Sequence, residues 1–540
     1  MNKIICVSAF LVLSILNFNA QNCEPNFKKD FDDAETIFSK VYLDNKDEST
    51  SRSKRGYAEA LPIFLKLYKQ DSTNMNLAFK IGVCYQGTRS QRALAIPYYT
   101  KAITSVSNNY EGSSCKEKNA PLIAWKYLGD VFHTDYQFDR AILVYEKYLA
   151  VLSENKNIDN PQLAEVKRKI EMCKAAKVLV ANPIEIKLRN LGGMVNSNSG
   201  DYSPVLSADQ KTLFFTSRRP ETVGTQKDAD GNFMEDIYMS PKTKYGWSKA
   251  KNIGAPINTE WHEATVGLSP DGQTILIYRD DMGDGNIYTT TLEGDVWSTP
   301  IKLNENINSK YWEPSAFISA NGNTLYFVSN KPGGYGGRDL YISKRAFDGD
   351  WEPAVNMGAT INTPYDEDAP FIHPDGVTLS FSSNGHNTMG GFDIFSSFLL
   401  ANETWSEPVN VGFPINTTDD DIFYVISPDS KTAYFSSFRE GGLGEKDNYM
   451  ATFPTRKETP LTLMKGVIID ESGKPAKNAR ITVTDNETEQ VVGVYKANSK
   501  TGAFLLFSHQ GKIIISLISR IIIYSILRIW KYQKNLIIMK

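Results

Sequence analysis

The stretch His373-Pro374-Asp375-Gly376-Val377-Thr378-Leu379-Ser380-Phe381 decides the fold. A Pro-Asp-Gly turn leads into a short strand whose apolar residues alternate with polar ones, the signature of a hairpin with one buried face. The same arrangement recurs four more times. Ser207-Ala208-Asp209, Ser269-Pro270-Asp271-Gly272, Ser319-Ala320-Asn321-Gly322 and Ser427-Pro428-Asp429-Ser430 each precede a threonine and an apolar strand. The alternating pairs are Leu213/Phe215, Ile275/Ile277, Leu325/Phe327, Leu379/Phe381 and Ala433/Phe435.

Each unit then carries a second row: Asp236-Ile237-Tyr238, Asn286-Ile287-Tyr288, Asp339-Leu340-Tyr341, Asp393-Ile394-Phe395 and Asp447-Asn448-Tyr449. Trp247, Trp297, Trp351 and Trp405 come next, spaced by 50, 54 and 54 residues. Ile257-Asn258-Thr259, Ile307-Asn308-Ser309, Ile361-Asn362-Thr363 and Ile415-Asn416-Thr417 complete the units. A period of that size, filled by about four short strands, is one propeller blade. The propeller is predicted over residues 183–454, and the row resembles the TolB-type Pro-Asp-Gly repeat.

The last unit lacks its tryptophan strand, and the first is preceded by Ile184 to Leu188, Gly192 and Val195-Asn196-Ser197. The N-terminal strand is therefore predicted to complete the last blade, which leaves no open strand edge. Five blades is the economical count; six result if a degenerate unit lies in Glu221 to Glu235.

Residues 27–180 show apolar spacings of three and four, a helical pattern. Trp125, Leu128, Gly129, Phe132, Ala141, Tyr145 and Tyr148 resemble the tetratricopeptide pattern. Ala78, Ile81, Gly82, Tyr85, Ala95, Tyr99 and Ala102 repeat it, and Ala60, Phe64 and Leu67 suggest an earlier unit. Small residues let paired helices approach, and large ones fill the gaps between hairpins. An unrelated helical bundle is the alternative.

Residues 461–512 resemble the opening of a carboxypeptidase-regulatory-like β-sandwich, on Lys465-Gly466-Val467-Ile468, Gly473-Lys474-Pro475-Ala476 and Thr501-Gly502-Ala503-Phe504. The fold class is thus multidomain, α plus all-β: helical repeats, a propeller and a partial sandwich. The tail, residues 513–540, holds eleven Ile and no acid. As a membrane helix it would gain roughly 5 kcal/mol, against roughly 3 for Arg520 alone. A frameshifted or read-through end is the competing reading.

Residues 1–20 read as a secretory signal, with Lys3, an apolar run from Ile4 to Leu16, and a cut after Ala20. The run is shorter than the ~20 residues of a spanning helix. Ala20-Gln21-Asn22 is a poor lipidation signal for Cys23. After cleavage Cys23, Cys84, Cys115 and Cys173 remain. None has zinc-ligand spacing, and the alternatives are one or two disulfides or buried thiols.

Net charge is -3, which gives no reason to expect nucleic acid as a partner. Among His133, His262, His373, His386 and His509 there is no zinc-protease motif, and the chain has no nucleophile elbow or P-loop. Two glycine runs, Gly333 to Gly337 and Gly441 to Gly444, lack the succeeding helix of a phosphate cradle, so they read as flexible loops. Asp228 to Asn232 and Asp280 to Gly285 lack the full calcium-ligand spacing and read as turns. Asp201, Glu263, Glu313, Asp368 and Asp420 are read as one carboxylate per blade, a structural feature. Tyr311-Trp312 and Tyr335 leave a glycan site open, with blade packing as the alternative. No catalytic, cofactor-binding or metal residue is assigned.

The order of modules resembles OmpA-family envelope proteins of the PorE-like type from Bacteroidetes. That resemblance implies a non-enzymatic periplasmic adaptor at the outer membrane, accessory to type IX secretion, with envelope proteins as partners. The family's OmpA-like domain is not found in this sequence, which puts peptidoglycan binding in doubt. A glycan- or small-ligand-sensing propeller and a propeller-based hydrolase are the other readings.

Overall fold

A computed structural model describes residues 23–42, 51–154, 160–228, 231–269, 272–280, 283–346, 349–457, 461–470, 472–476, 479–485, 491–509 and 513–517. The expected signal segment and the tail beyond 517 lie outside the described residues. Among those described, no helix is long and apolar enough to cross a membrane.

The chain forms two compact units, divided between Val131 and Phe132. The first contains helices α1 (Pro25–Tyr42), α2 (Ser51–Gln70), α3 (Met75–Gly87) and α4 (Ala95–Ala102), a 3-10 turn over Arg89–Leu94, and most of α5 (Ala124–Thr134). Consecutive helices from α1 to α4 pack as neighbours. In α1 the buried residues are Phe31, Ala34, Phe38 and Val41, a stripe at helical spacing. A Cβ on Gly82 would strike the Tyr99 ring, so the small residue lets α3 and α4 close together. Cys23 and Cys115 form a disulfide across 92 residues, while Cys84 and Cys173 are buried and not disulfide-bonded.

The second unit begins with the end of α5, α6 (Phe138–Glu154) and α7 (Asn160–Ala181), the last two packed together. This hairpin is fixed to the propeller by named contacts. His133 Nε2 lies 2.7 Å from the Met389 carbonyl. The Arg168 guanidinium donates to the carbonyls of Asn384, Gly385 and His386 and covers the Tyr365 ring.

The propeller has five blades, each an antiparallel sheet in sequential order. The inner strands are Asp201–Leu206, Glu263–Leu268, Ala316–Ile318, Glu367–Ile372 and Asp421–Ile426. Each touches the inner strands on either side, and the fifth touches the first. Closure is as the sequence predicts. Lys187–Asn190 pairs with Asp447–Thr452, with Tyr449 opposite Asn190, and becomes the outer strand of the last blade. Glu221 to Glu235 is no sixth blade. It is the loop between Thr212–Ser217 and Asp236–Thr243, too short for four strands. The core between blades holds Leu213, Phe215, Ile277, Leu379, Phe381 and Phe435, the alternating residues of the repeat.

The β-sandwich pairs Leu461–Val467 with Ala503–His509, and orders Val491–Lys496, Arg480–Asp485 and Ile513–Leu517 in a second sheet. The first five residues of the Ile-rich tail are thus a strand of this domain, and the boundary set at 512 moves outward. Lys500 pairs with Asp295 at 2.6 Å, tying the sandwich to the second blade.

Candidate functional site

The repeated residues build the frame. Each blade junction carries an asparagine: Asn196, Asn258, Asn308, Asn362 and Asn416. Asn362 accepts from the Leu340 N–H at 2.8 Å and donates to the Leu340 carbonyl at 3.0 Å. Asn258 and Asn416 do the same to Ile237 and Ile394. A side chain thereby mimics a strand and stitches each connecting loop to the third strand of its blade.

The repeated carboxylate lies four residues beyond the Ser or Thr that succeeds each asparagine. Glu367 accepts from the Thr363 N–H at 2.9 Å and its hydroxyl at 2.7 Å. Asp201, Glu263, Glu313 and Asp421 hold Ser197, Thr259, Ser309 and Thr417 in the same way. This corrects the register read from sequence: Glu367 and Asp421 occupy the repeated place, and Asp368 and Asp420 do not. Burial pushes the Glu367 carboxyl up to about 7, and that of Asp421 to about 6 despite Arg439.

The glycine runs are also recast. Gly333 to Gly337 wraps Asp339, whose carboxylate accepts from the N–H groups of Tyr335 (2.6 Å) and Gly336 (3.0 Å). Gly441 to Gly444 wraps Asp447 likewise. A Cβ on Gly336 would collide with the Tyr365 carbonyl, and one on Gly444 with that of Ser199. These glycines permit close backbone approach; flexibility is not their reason. The turn at Asp228 holds the Asn232 N–H at 2.8 Å and Arg218 at 2.7 Å, and Asp280 holds the Gly283 N–H. Asp230 and Asp281, the neighbouring acids of those two turns, lie outside the described residues. No group of three or more His, Cys, Asp or Glu among the described residues is placed to hold a metal.

The two ends of the channel differ. At the ends of the inner strands Val205, Leu268, Phe317, Phe371 and Val425 close on an apolar cavity of about 40 Å³. Midway, polar side chains bridge the strands: Thr265 Oγ1 donates to the Ser203 carbonyl at 2.7 Å, and Ser315 Oγ to Asp368 at 2.6 Å. Ser203, Ala369 and Phe423 there have φ of 53°, 49° and 58°. Non-glycine residues rarely occupy that region, and such bulges cluster at functional sites.

At the opposite mouth the blades stop resembling one another. The residue before each third strand is Glu235, Gly285, Arg338, Phe392 or Lys446. The residue before each repeated carboxylate is Gly200, His262, Trp312, Asp366 or Asp420. The charged members are paired, within the first and last blades and between the first and second and the third and fourth. Arg218 holds Glu235 at 2.8 Å and Asp228 at 2.7 Å, and His262 lies 3.3 Å from Glu235. Arg338 holds Asp368 at 2.5 Å and Asp366 at 3.5 Å, and Lys446 lies 3.4 Å from Asp420. Burial raises the Glu235 carboxyl, but Arg218 and His262 outweigh it and hold the group below the ordinary carboxylate range. Burial and then Glu235 push the Tyr202 hydroxyl far up.

Among the aromatic residues of the mouth, Tyr311 is half-buried and Trp312 donates its indole N–H to the Tyr278 hydroxyl at 3.2 Å. Trp312 is 37 % exposed, Tyr335 52 % and Trp261 52 %, whereas the repeat tryptophans Trp247 and Trp351 are buried. Sequence reasoning misses Trp261. Its place, two residues before the repeated carboxylate and shared with Tyr311 and Tyr365, is the available signal.

No protein-family model matches the chain, and no curated protein is similar to it. TolB from Acinetobacter baumannii is 13 % identical over 56 % of this chain and 72 % of its own, with a TM-score of 0.32. An α-L-arabinofuranosidase from Lactobacillus brevis is 12 % identical over 51 % and 93 %, at 0.31. RS223-β-xylosidase is 11 % identical over 51 % and 98 %, also at 0.31. Likeness at such scores decides nothing, and the five blades rest on their strand pairing. The class is that of five-bladed β-propeller proteins, here with N-terminal helices and a C-terminal β-sandwich.

Proposed function

We propose that the chain is a non-enzymatic scaffold of the bacterial envelope that binds protein partners at the mouth of its propeller. One observation carries the reading. The repeat keeps its junction asparagine and an Asp or Glu at the repeated place in all five blades, while the residues before the third strand and before that carboxylate differ from blade to blade at the mouth. A surface that departs from its own repeat, on a closed frame, is suited to recognition. The charged groups named at the mouth are paired with one another.

Export to the periplasm, near the outer membrane, is part of this proposal. The expected signal and the Cys23–Cys115 disulfide support it, because disulfides persist in oxidising compartments. The disulfide also occupies the sulfur that a lipid anchor would need. The tetratricopeptide type of the helices, the likeness to PorE-like OmpA-family proteins and an accessory role in type IX secretion are the finer proposals, supported by the module order. A glycan- or small-ligand-sensing mouth is the second reading, favoured by its exposed aromatic rings.

The test is a crosslinked pulldown from outer-membrane extract, with mature chain from residue 21 and with Trp261→Ala. An envelope protein recovered by the first and lost by the second is expected. Recovery of none by either sinks the scaffold reading.

A further inference from the structure

The outer hairpins of the propeller differ in charge, and that of the first blade departs from the rest. On the corresponding stretch the second blade carries Glu293 and Asp295, the third Asp348, Asp350 and Glu352, and the fourth Glu403 and Glu407. The first blade carries Lys242, Lys244, Lys249 and Lys251, with no acid from Ile237 to Thr259. All four lysines are exposed, and among the described residues none of them forms an ion pair. Lys211 is exposed beside them, its carbonyl accepting from the Lys242 N–H at 2.7 Å.

The hairpin is tight and its base is firm. Thr243 pairs with Gly246, which leaves Lys244 and Tyr245 as the tip. Tyr245 is 88 % exposed, and Lys244 Nζ lies 4.9 Å from its ring centroid. Lower down, Lys242 Nζ lies 5.4 Å from the buried Trp247 ring, which meets Tyr434 of the last blade edge-on at 6.1 Å. Tyr434 pairs with Met450, and Met450 with Arg189, so the three share a face of that blade. Arg189 and Lys187, both exposed, thereby extend the basic face across the junction.

Acids border it. Asp209 accepts from the Ser207 hydroxyl at 2.8 Å and the Lys211 N–H at 3.1 Å, and Asp429 from the Ser427 hydroxyl at 2.6 Å and the Lys431 N–H at 3.0 Å. Asp295 pairs with Lys500 at 2.6 Å, and Glu185 and Glu293 are exposed. The seven cations outnumber these acids, so the face is positive on a chain whose net charge is -3.

The kind of charge selects the ligand. All but Arg189 are lysines, hydrated point charges without the planar fork that grips a single carboxylate or phosphate. They suit a diffuse anionic surface, where each cation is attracted without a fixed partner. Tyr245, with an apolar ring and a polar end, is the residue type that settles at headgroup depth beside lysines. An acidic peptide would draw on backbone groups as well, and the Tyr245 N–H is already bonded to the Thr243 hydroxyl at 3.2 Å.

We propose that this hairpin seats the propeller on an anionic phospholipid surface, with Tyr245 at headgroup depth. The proposal rests on the envelope location read above.

The test labels the full mature chain at Tyr245→Cys with an environment-sensitive dye. Cys84 and Cys173 are buried and Cys23 is bonded to Cys115, so the new thiol alone is open. Tyr335→Cys, at the channel mouth, is the control position. The probes are vesicles of phosphatidylcholine with about one third phosphatidylglycerol, and of phosphatidylcholine alone. The dye at 245 is expected to brighten with the first and not the second, and the dye at 335 with neither. Lys244→Gln with Lys249→Gln should weaken vesicle binding about 25-fold, at about fivefold per lysine, and about 0.5 M salt should release the chain. Both lysines are exposed and neither covers the Trp247 ring, so an unchanged melting temperature excludes loss of fold.

No response at 245, an equal response to neutral vesicles, or indifference to the double variant overturns the proposal. Sedimentation with vesicles without a response at 245 means that another part of the chain binds lipid, and overturns it too. Polyglutamate bound by the wild type and lost in the double variant, with no vesicle response, overturns it in favour of an acidic protein segment. A Trp261-dependent envelope partner recovered by crosslinking, with no vesicle response, leaves the scaffold reading intact and overturns this one alone.

Discussion

Arg338 and Asp368 join the third blade to the fourth at 2.5 Å, and the Arg338 guanidinium lies 5.3 Å from the Trp312 ring and 5.2 Å from that of Phe392. Both charges are largely buried, so removing one strands the other. Arg338→Ala and Asp368→Ala should each cost about 2 kcal/mol, discounted from the fully buried case because water still reaches the pair. The double variant should cost less than the sum, since neither charge is then abandoned. Urea melts of the four proteins measure the cycle. Additive losses would show that the two side chains act independently.

The disulfide makes a second prediction. Closing 92 residues should stabilise the helical unit by about 4 to 5 kcal/mol through the entropy of the unfolded chain. Cys115→Ser should therefore lower its stability by that order, as should reductant on the wild type. Alkylation without reduction should label Cys84 and Cys173 only after unfolding, because both are buried. Four labelled thiols in the unfolded, unreduced chain would rule the bond out.

Buried carboxylates fix the pH response. Glu367 titrates at about 7 in the folded chain, against an ordinary 4.5, and Asp421 at about 6, against 3.8. A raised acid holds its proton more tightly when folded. Its contribution is therefore complete below the unfolded value and is lost as pH rises through the folded one. The propeller should lose stability between about pH 4 and 7, on the order of 3 kcal/mol from Glu367. Burial would raise Asp375, but its His373 partner outweighs that and holds it at about 2, so it titrates below this window. Glu367→Gln should flatten the slope of melting temperature against pH. The slope is the readout, because the new amide faces the Thr363 N–H and shifts the level at every pH. An unchanged slope would place the titration elsewhere.

The frame was legible because a repeat states its own rules five times. Asn362 and Thr363 recur with a tryptophan strand before them, and hydrophobic alternation at Leu379 and Phe381 gives the strand and its buried face. The register of the acids was not legible by inspection, since Glu367-Asp368 and Asp419-Asp420-Asp421 offer neighbouring carboxylates. Counting four residues from Thr363 and Thr417 would have selected Glu367 and Asp421. The glycine runs misled because close approach of two backbones leaves no mark in one segment: the Tyr365 carbonyl that excludes a Cβ at Gly336 belongs to another loop. The pairing of Cys23 with Cys115 needs the folded helices. The strand at Ile513–Leu517 was hidden because its isoleucines merge with those of residues 518–540 into one run of uniform composition. The mouth was legible only in part. Trp312 and Tyr335 stood out, but their exposure depends on loops that no spacing describes.

Ring closure supplies the last prediction. Lys187–Asn190 contributes four residues of pairing to the final blade, and it also contributes Asn190. That side chain donates to Asp447 at 2.7 Å and accepts from Gly192 N–H at 2.7 Å and Asn196 at 2.9 Å, the place that Asn356 and Asn410 fill in the third and fourth blades. A chain begun at Pro183 keeps this strand, and one begun at Gly192 lacks it. The shorter chain leaves Asp447–Thr452 as an open edge and strands the Asp447 carboxylate with one partner fewer, so it should lose about 3 to 5 kcal/mol and associate through that edge. A peptide spanning residues 183–191, added in trans, should restore the melting temperature and the monomer, because the strand acts by pairing and needs no covalent link. Light scattering and thermal melting of the two chains, with and without the peptide, decide it. Equal melting of both chains would mean that the ring closes by contact of its inner strands alone, with the outer strand of the last blade dispensable.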